Sequence, residues 1–443
     1  MKKQNIKLYS LFAWCVATFQ LVVAQELITT DEAVELALEH NYGIKIANNA
    51  VKVAENNSNV LNSGYLPTVT GNAGASLDVQ NTEGQLANGE TRVAEGAETR
   101  RYNASVNLNY TLFDGLGRYY NYKQLKEEYQ LSQLEARLTI ETIMVELFTI
   151  YYNVAQLSEN TEALEKTLAI SKDRLTRSEY AFEYGQNTKL DVLNAEVDIN
   201  NDSINLINAY QQLKNTKRDL SVVMGNKIET TYEVDTIVTF PNLYLKEALY
   251  KKLLQNNVRL QQIEQNIKIS DFTIKSSKSG YLPTIGLQGS YGWSEANNNS
   301  PLAFVLQNTN SGFSGALNLT WNLFDGGTTI TRVKNAQIDL ENQQLQKAQI
   351  LAEVQRDFNN AWDDYQNKLR IYQVQQDNIK TAKNNFERTQ EKFKLGQVTS
   401  IEFRQAQLNL LTSELNRNQA KYDAKLAEIN VLQICGELLN NPL

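Results

Sequence analysis

At 443 residues the chain is long enough for a large core or two to three ordinary domains, and it carries 43 Lys and Arg against 50 Asp and Glu. The acidic balance argues against nucleic acid or an anionic lipid surface as the main partner. His40 is the single histidine, which excludes a His-based catalytic triad or a His-rich metal site, and no Gly-rich phosphate cradle occurs.

The first 24 residues read as a signal peptide. Lys2, Lys3 and Lys7 form a positive n-region, an apolar stretch runs from Leu8 to Val23, and Val22 and Ala24 occupy the −3 and −1 positions of a small-residue cleavage site. An uncleaved anchor and lipidation at Cys15 are rival readings, although Trp14 is a poor residue before an acylated cysteine. Removing Lys2, Lys3 and Lys7 from the 43 basic residues leaves 40 against 50 acidic, a net of −10. Cleavage also leaves Cys435 alone, so neither an intrachain disulfide nor a structural zinc site of the common kinds can form. No later stretch approaches 18 consecutive apolar residues, so any membrane crossing must be made by a β-barrel.

Gly64-Tyr65-Leu66-Pro67-Thr68 comes next, with Pro67 placed to redirect the chain from helix into strand. Val69, Gly71, Ala73, Ala75, Leu77 and Val79 then alternate with polar residues. So do Tyr102, Ala104, Val106, Leu108, Tyr110 and Leu112. The period of two predicts two strands of about 9–11 residues, the length a membrane strand requires. A soluble β-sandwich strand would show the same alternation. The polar linker 80–100 reads as a long extracellular loop.

Leu112-Phe113-Asp114-Gly115 ends this region, and Asp114 before Gly115 reads as a helix N-cap rather than a catalytic acid. From Arg118 to Tyr184 no Gly or Pro interrupts 67 residues rich in Gln, Leu, Glu, Lys and Ala. This predicts a helix of roughly 100 Å. Leu131, Leu138, Val145 and Tyr152 form a heptad seam, with Leu134, Phe148 and Ala155 at companion positions and Glu141 as an exception. A second series, Ile140, Leu147 and Val154, lies about 200° round the helix, so the helix should have a neighbour on each flank. Irregular helix-bundle packing remains a second way to satisfy the pattern. The lone Gly185 then separates this helix from another. Gly185-Gln186 followed by Thr188 and Asp191 reads as a left-handed stop and a capping box.

The plan then repeats. Gly280-Tyr281-Leu282-Pro283-Thr284 follows the first such motif by 216 residues. Leu323-Phe324-Asp325-Gly326, Gly396-Gln397 and Cys435-Gly436 follow their counterparts Leu112–Gly115, Gly185-Gln186 and Met224-Gly225 by 211. The strand faces here are Ile285, Leu287, Gly289, Tyr291 and Trp293, then Phe313, Gly315, Leu317, Leu319, Trp321 and Leu323, separated by the polar linker 294–311. Leu351, Phe358 and Tyr365 repeat the second seam, and Gly396 with Thr399 and Glu402 repeats the turn. Four strands cannot close a barrel, whose smallest forms have about eight. A membrane reading therefore requires an oligomer.

Duplicated halves with paired Gly-Tyr-Leu-Pro and Leu-Phe-Asp-Gly signatures and lone-glycine hairpins resemble the outer-membrane efflux protein family, the TolC-like ducts. The resemblance covers the whole mature chain. It implies a mixed α and β membrane protein of duplicated strand-strand-helix-helix halves. A homotrimer would form a 12-stranded outer-membrane β-barrel, continuous with a long periplasmic α-helical barrel. It implies docking on a periplasmic adaptor and an inner-membrane transporter, outer-membrane lipid around the barrel, no cofactor, no enzymatic activity and no nucleic acid. The implied divisions are 1–24 signal peptide, 25–63 N-terminal equatorial and helical segment, 64–114 first β-hairpin and 115–225 first helical hairpin. They continue with 226–279 equatorial segment and helix, 280–325 second β-hairpin, 326–436 second helical hairpin and 437–443 tail. Segments 25–50, 221–260 and 432–443 would make the equatorial belt. The tips, with Gly185, Gln186, Thr188, Gly396, Gln397 and Thr399, would dock the adaptor. Asp191, Glu402 and Gln405 align with gate positions, of which Gln405 departs from the acidic pattern. Val398 stands where some relatives carry a basic latch. The rival class is a soluble periplasmic or surface adhesin-like protein with a coiled coil and a β-sandwich.

Overall fold

The computed structural model describes residues 27–225, 231–240, 245–300 and 302–439. The signal segment 1–24, Cys15, Pro301 and the last four residues lie outside the described residues. In chain order the elements are β1 (Leu27–Ile28), α1 (Thr30–His40), α2 (Tyr42–Asn57), β2 (Thr68–Gln85), β3 (Thr91–Asp114), α3 (Gly117–Glu183) and α4 (Lys189–Val223). They continue with β4 (Glu233–Val234), α5 (Lys246–Asn256), α6 (Val258–Ser277), β5 (Thr284–Asn298), β6 (Gln307–Thr320), α7 (Thr328–Lys394) and α8 (Ser400–Ile434). Helices α3 and α7 have 67 residues each, and α4 and α8 have 35 each. The chain forms two compact units, one of Met1–Lys45, Thr139–Asn256 and Gln355–Leu443, the other of Ile46–Leu138 and Asn257–Val354.

The second unit holds an antiparallel sheet in the order β2-β3-β5-β6. Its register aligns the apolar positions of all four strands on one face. Gly71 pairs with Val106, Val106 with Tyr291 and Tyr291 with Phe313; one row away, Ala73, Ala104 and Trp293 line up with Ser311. Tyr291 thus lies between Val106 and Phe313, aromatic and β-branched cross-strand pairs of the kind that stabilise a pleated surface. Val106, Tyr291 and Phe313 are exposed at 55%, 60% and 77%, so this face is apolar and uncovered within the chain.

The strands exceed the predicted lengths. Segment 80–100 is not a long loop: pairing runs from Gln80 with Ala97, past an irregularity between Gln80 and Thr82, to Gln85 with Thr91. Likewise β5 reaches Asn298 and β6 begins at Gln307, so 294–311 shrinks to the connection 299–306. A ladder of backbone hydrogen bonds needs no apolar side chains, so pairing outlasts the alternation that advertised it. Trp321 and Leu323 fall beyond the end of β6 at Thr320; the Trp321 indole donates instead to the Tyr281 carbonyl at 3.2 Å.

The junctions of this unit are built around Asp114 and Asp325. The Asp114 carboxylate accepts from the Arg118 backbone N–H at 2.9 Å, capping the first turn of α3. Arg118 also donates to the carbonyls of Gly64 at 2.9 Å and Thr111 at 2.6 Å, tying the approach to β2 to the end of β3. Gly115 has φ +70°, and a Cβ there would lie 2.5 Å from the Ser279 carbonyl oxygen, so only glycine fits. Asp325 accepts from the N–H groups of Gly327 and Thr329 and from the Thr329 hydroxyl, which holds its carboxyl below the usual range. Pro67 and Pro283 stand immediately before β2 and β5.

In the first unit the midsection of α3 is enclosed. Met144, Leu147, Phe148, Tyr151, Tyr152, Val154 and Ala155 are buried against Ala33, Ala37, Ile44, Leu220, Tyr422 and Ile429. Here both predicted seams of α3 are covered. The short parallel pair of β1 with β4 lies beside it, and the Tyr151 hydroxyl donates to Ile28 O at 2.8 Å and accepts from Asp235 N at 3.1 Å. Three buried lysines reach the backbone of 231–240: Lys217 donates to Tyr232 O, Lys421 to Thr236 O and Lys425 to Thr239 O. The single helix predicted in 226–279 is two, α5 and α6, separated where the Asn257 side chain accepts from Leu260 N at 3.1 Å.

Candidate functional site

Two turns in the first unit carry the residues singled out from the sequence. Gly185 and Gly396 have φ +73° and +70°. After each, the chain closes a Schellman pattern: Gln186 N donates to Ala181 O at 2.7 Å, and Gln397 N to Lys392 O at 2.8 Å. Nothing lies within 4 Å of a Cβ built on either glycine, so conformation rather than crowding requires glycine there.

The next helices begin with matching caps. The Thr399 backbone N–H and hydroxyl donate to Glu402 Oε2 at 2.8 and 2.9 Å, and the Glu402 N–H donates to Thr399 Oγ1 at 3.2 Å. The Thr188 N–H and hydroxyl donate to Asp191 Oδ2 at 3.1 and 2.8 Å. A gate acid crowded by like charges would have a raised pKa. Within this chain the effect on Glu402 is the reverse: the Thr399 N–H and hydroxyl lower it, so its carboxylate is ionised and committed to the cap. Gln405 is exposed and donates along its own helix to Asn409 at 2.9 Å. Val398 offers no charge for a latch.

Beneath the turns lies a cluster that sequence reasoning did not find. Phe403, beside Glu402, is buried and stacks on Phe393 at 4.6 Å between centroids, with Phe386 at 5.6 Å. Next to Phe403, Arg404 of α8 holds Asp202 of α4 through two hydrogen bonds of 2.8 Å. Asp202 also accepts from Ser171 of α3 at 2.6 Å, and Gln407 donates to Thr167 O at 2.8 Å and Ser171 Oγ at 3.0 Å. Arg174, 2% exposed, pairs with Asp198. Two arginines and two aspartates thus balance in a layer joining three helices, with Arg174 and Asp202 buried and Arg404 and Asp198 partly so. Such a layer fixes geometry more than it adds net stability. The available signal was Asp198 and Asp202 one turn apart on α4, facing the same way.

Among the described residues no group of three or more His, Cys, Asp or Glu is placed to hold a metal, and no helix is long and apolar enough to cross a membrane.

The fold, with its exposed apolar sheet face, capped strand-to-helix junctions and paired glycine turns, is that of solved outer-membrane channels. The chain belongs to the outer membrane efflux protein family, which its sequence matches over residues 33–226 and 249–437. This is a family of channels, and its members are outer-membrane proteins. Among curated relatives, the outer membrane efflux protein BepC of Brucella suis is 20% identical over 415 residues, covering 94% of this chain and 87% of that protein. The outer membrane protein TolC of Vibrio cholerae is 24% identical over 306 residues, covering 68% and 69%. Among solved structures, the CmeC outer membrane channel of Campylobacter jejuni superposes with a TM-score of 0.74 at 16% identity, covering 92% of this chain and 86% of that one. The outer membrane protein VceC of Vibrio cholerae gives 0.73 at 14% identity, covering 92% and 96%.

Proposed function

We propose that this chain is the exit duct of a tripartite efflux or type I secretion assembly, a homotrimer that passively conducts substrates delivered by an inner-membrane transporter through a periplasmic adaptor. The observation that carries the reading is the four-stranded sheet with an uncovered apolar face and two free edges. Because the strands alternate in direction, β2 and β6 run oppositely, so β6 of one copy can pair antiparallel with β2 of the next. Unpaired edges are not tolerated in lipid, and three copies supply twelve strands around a lumen. The long helices would then extend into the periplasm. The turns at Gly185, Gln186, Thr188, Gly396, Gln397 and Thr399 would meet the adaptor, and Asp191, Glu402 and Gln405 would stand near the mouth. The soluble sandwich reading lacks support, since the described residues form one four-stranded sheet and a two-residue pair rather than two facing sheets.

The test is assembly and location. The protein should fractionate with outer membranes, require detergent and have the mass of a trimer. A stable monomer that keeps its β-signal in detergent would end the shared-barrel reading.

A further inference from the structure

The β2–β3 hairpin outruns its neighbour. Following the register, Gln307 at the start of β6 lies level with Asn297, Arg100 and Leu77, while β2 continues to Gln85, eight residues further. Residues 79–98 therefore form a two-stranded ribbon past the end of the β5–β6 hairpin, and such a ribbon is marginal in water by itself. Its own chain covers part of it. Asn299 N donates to Glu98 O at 3.1 Å, Asn299 Oδ1 accepts from Glu98 N at 2.7 Å, and Leu302 reaches the space beside Gly84. The rest of that connection turns outward: Phe304 is fully exposed, Val305 60% and Leu306 61%. On β2, Leu77 and Val79 are likewise open, at 58% and 60%.

We infer that Phe304, Val305 and Leu306 of one copy pack on the β2 side of the next copy's ribbon, a contact between subunits additional to the shared sheet. The inference rests on the shared-barrel reading. The apolar segment leads directly into β6, the free edge at one side of the sheet, and β2 is the free edge at the other. Joining β6 to a second copy's β2 sets the segment beside that ribbon, in the head-to-tail contact from which rings are built. The ribbon bears Glu83, Glu90, Arg92, Glu95 and Glu98, a composition suited to water and not to hydrocarbon. An exposed Phe-Val-Leu run at that level is best covered by protein, and its aromatic anchor suits an interface core. The other hairpin turn, 86–90, carries no such run.

The experiment uses the full-length, detergent-solubilised protein with Phe304→Cys and Val79→Cys together, treated with a short bismaleimide. Denaturing gels should show covalent dimers and trimers for the double variant and none for either single variant; buried Cys435 stays silent. In parallel, Phe304→Asp should lower the temperature at which the trimer dissociates. A protein of trimeric mass that gives no product between copies and an unchanged dissociation temperature overturns this contact while leaving the shared barrel standing. A product from Phe304→Cys alone would place the three segments against one another and also overturns it. A monomer overturns both.

Discussion

Arg404 meets Asp202 with both ends of its guanidinium, Nη1 and Nη2 each 2.8 Å from a different carboxylate oxygen, and the two side chains come from different helical hairpins. Removing either partner strands a charge that is almost dry, a loss of about 3–5 kcal/mol for a buried pair. Arg404→Met should therefore loosen the ends of α4 and α8, read as faster amide exchange over 190–205 and 400–410. Adding Asp202→Asn should restore part of the protection, because the double variant leaves no orphan charge. Equal exchange in all three proteins would show that the pair does not hold the hairpins together.

Gly185 and Gly225 separate two reasons for glycine. Both have φ +73°, but a Cβ on Gly185 meets nothing, whereas on Gly225 it would lie 2.5 Å from the His40 carbonyl carbon. Gly185→Ala should cost about 1–2 kcal/mol, the left-handed penalty alone. Gly225→Ala should cost more, because His40 and Asn41 must move and the 2.7 Å bond from Asn41 to Val223 O is threatened. Unfolding midpoints followed by circular dichroism would rank them. If the chain assembles as proposed and the turns dock the adaptor, Gly185→Val and Gly396→Val should leave the trimer intact and stop export; Gly→Asn, which tolerates this conformation, should rescue.

Glu402 links pH to the second turn. Its folded-state pKa is depressed, so its capping contribution is complete above the unfolded value of about 4.3 and is lost as pH falls through the lower folded value. Amide exchange at the start of α8 should accelerate on acidification in the native protein, and Glu402→Gln should remove that acid dependence. In planar bilayers, three ionised copies at a tunnel mouth would favour cations, so Glu402→Gln should weaken cation selectivity. An unaltered selectivity in an intact trimer would reduce the residue to its cap.

Cys435 reports the integrity of the first unit. It is fully buried, and burial pushes its thiol up to about 12. At pH 8 it should resist maleimide in the folded protein and react once denaturant opens the unit. Rapid labelling under native conditions would contradict the packing around the end of α8.

Much of this was legible from side-chain periodicity. The parity that put Val69, Val106, Tyr291 and Phe313 on one face needed only the alternation of strands. Gly185 and Gly396 stood out because no other glycine interrupts those segments. What escaped lacked an apolar contrast: Gln80–Gln85 and Thr91–Thr99 pair through backbone groups, which no composition reveals. Arg174, Asp202 and Arg404 escaped for the opposite reason. Charges on a helix are read as solvent-facing until partners from two other helices are placed around them. The lysines over 231–240 are equally silent, because their acceptors are carbonyls that every residue carries.

The cross-ties between helices also restrict how such a chain can change length. One inserted residue turns everything beyond it by about 100° and advances it by about 1.5 Å. An insertion between Tyr152 and Ser171 of α3 would leave the buried midsection in place yet swing Ser171 and Arg174 away from Asp202 and Asp198. The four long helices are therefore free to lengthen or shorten only by near-whole numbers of turns, and only in concert. Relatives with shorter or longer hairpins should differ by about seven, eleven or eighteen residues, with matched changes in both halves.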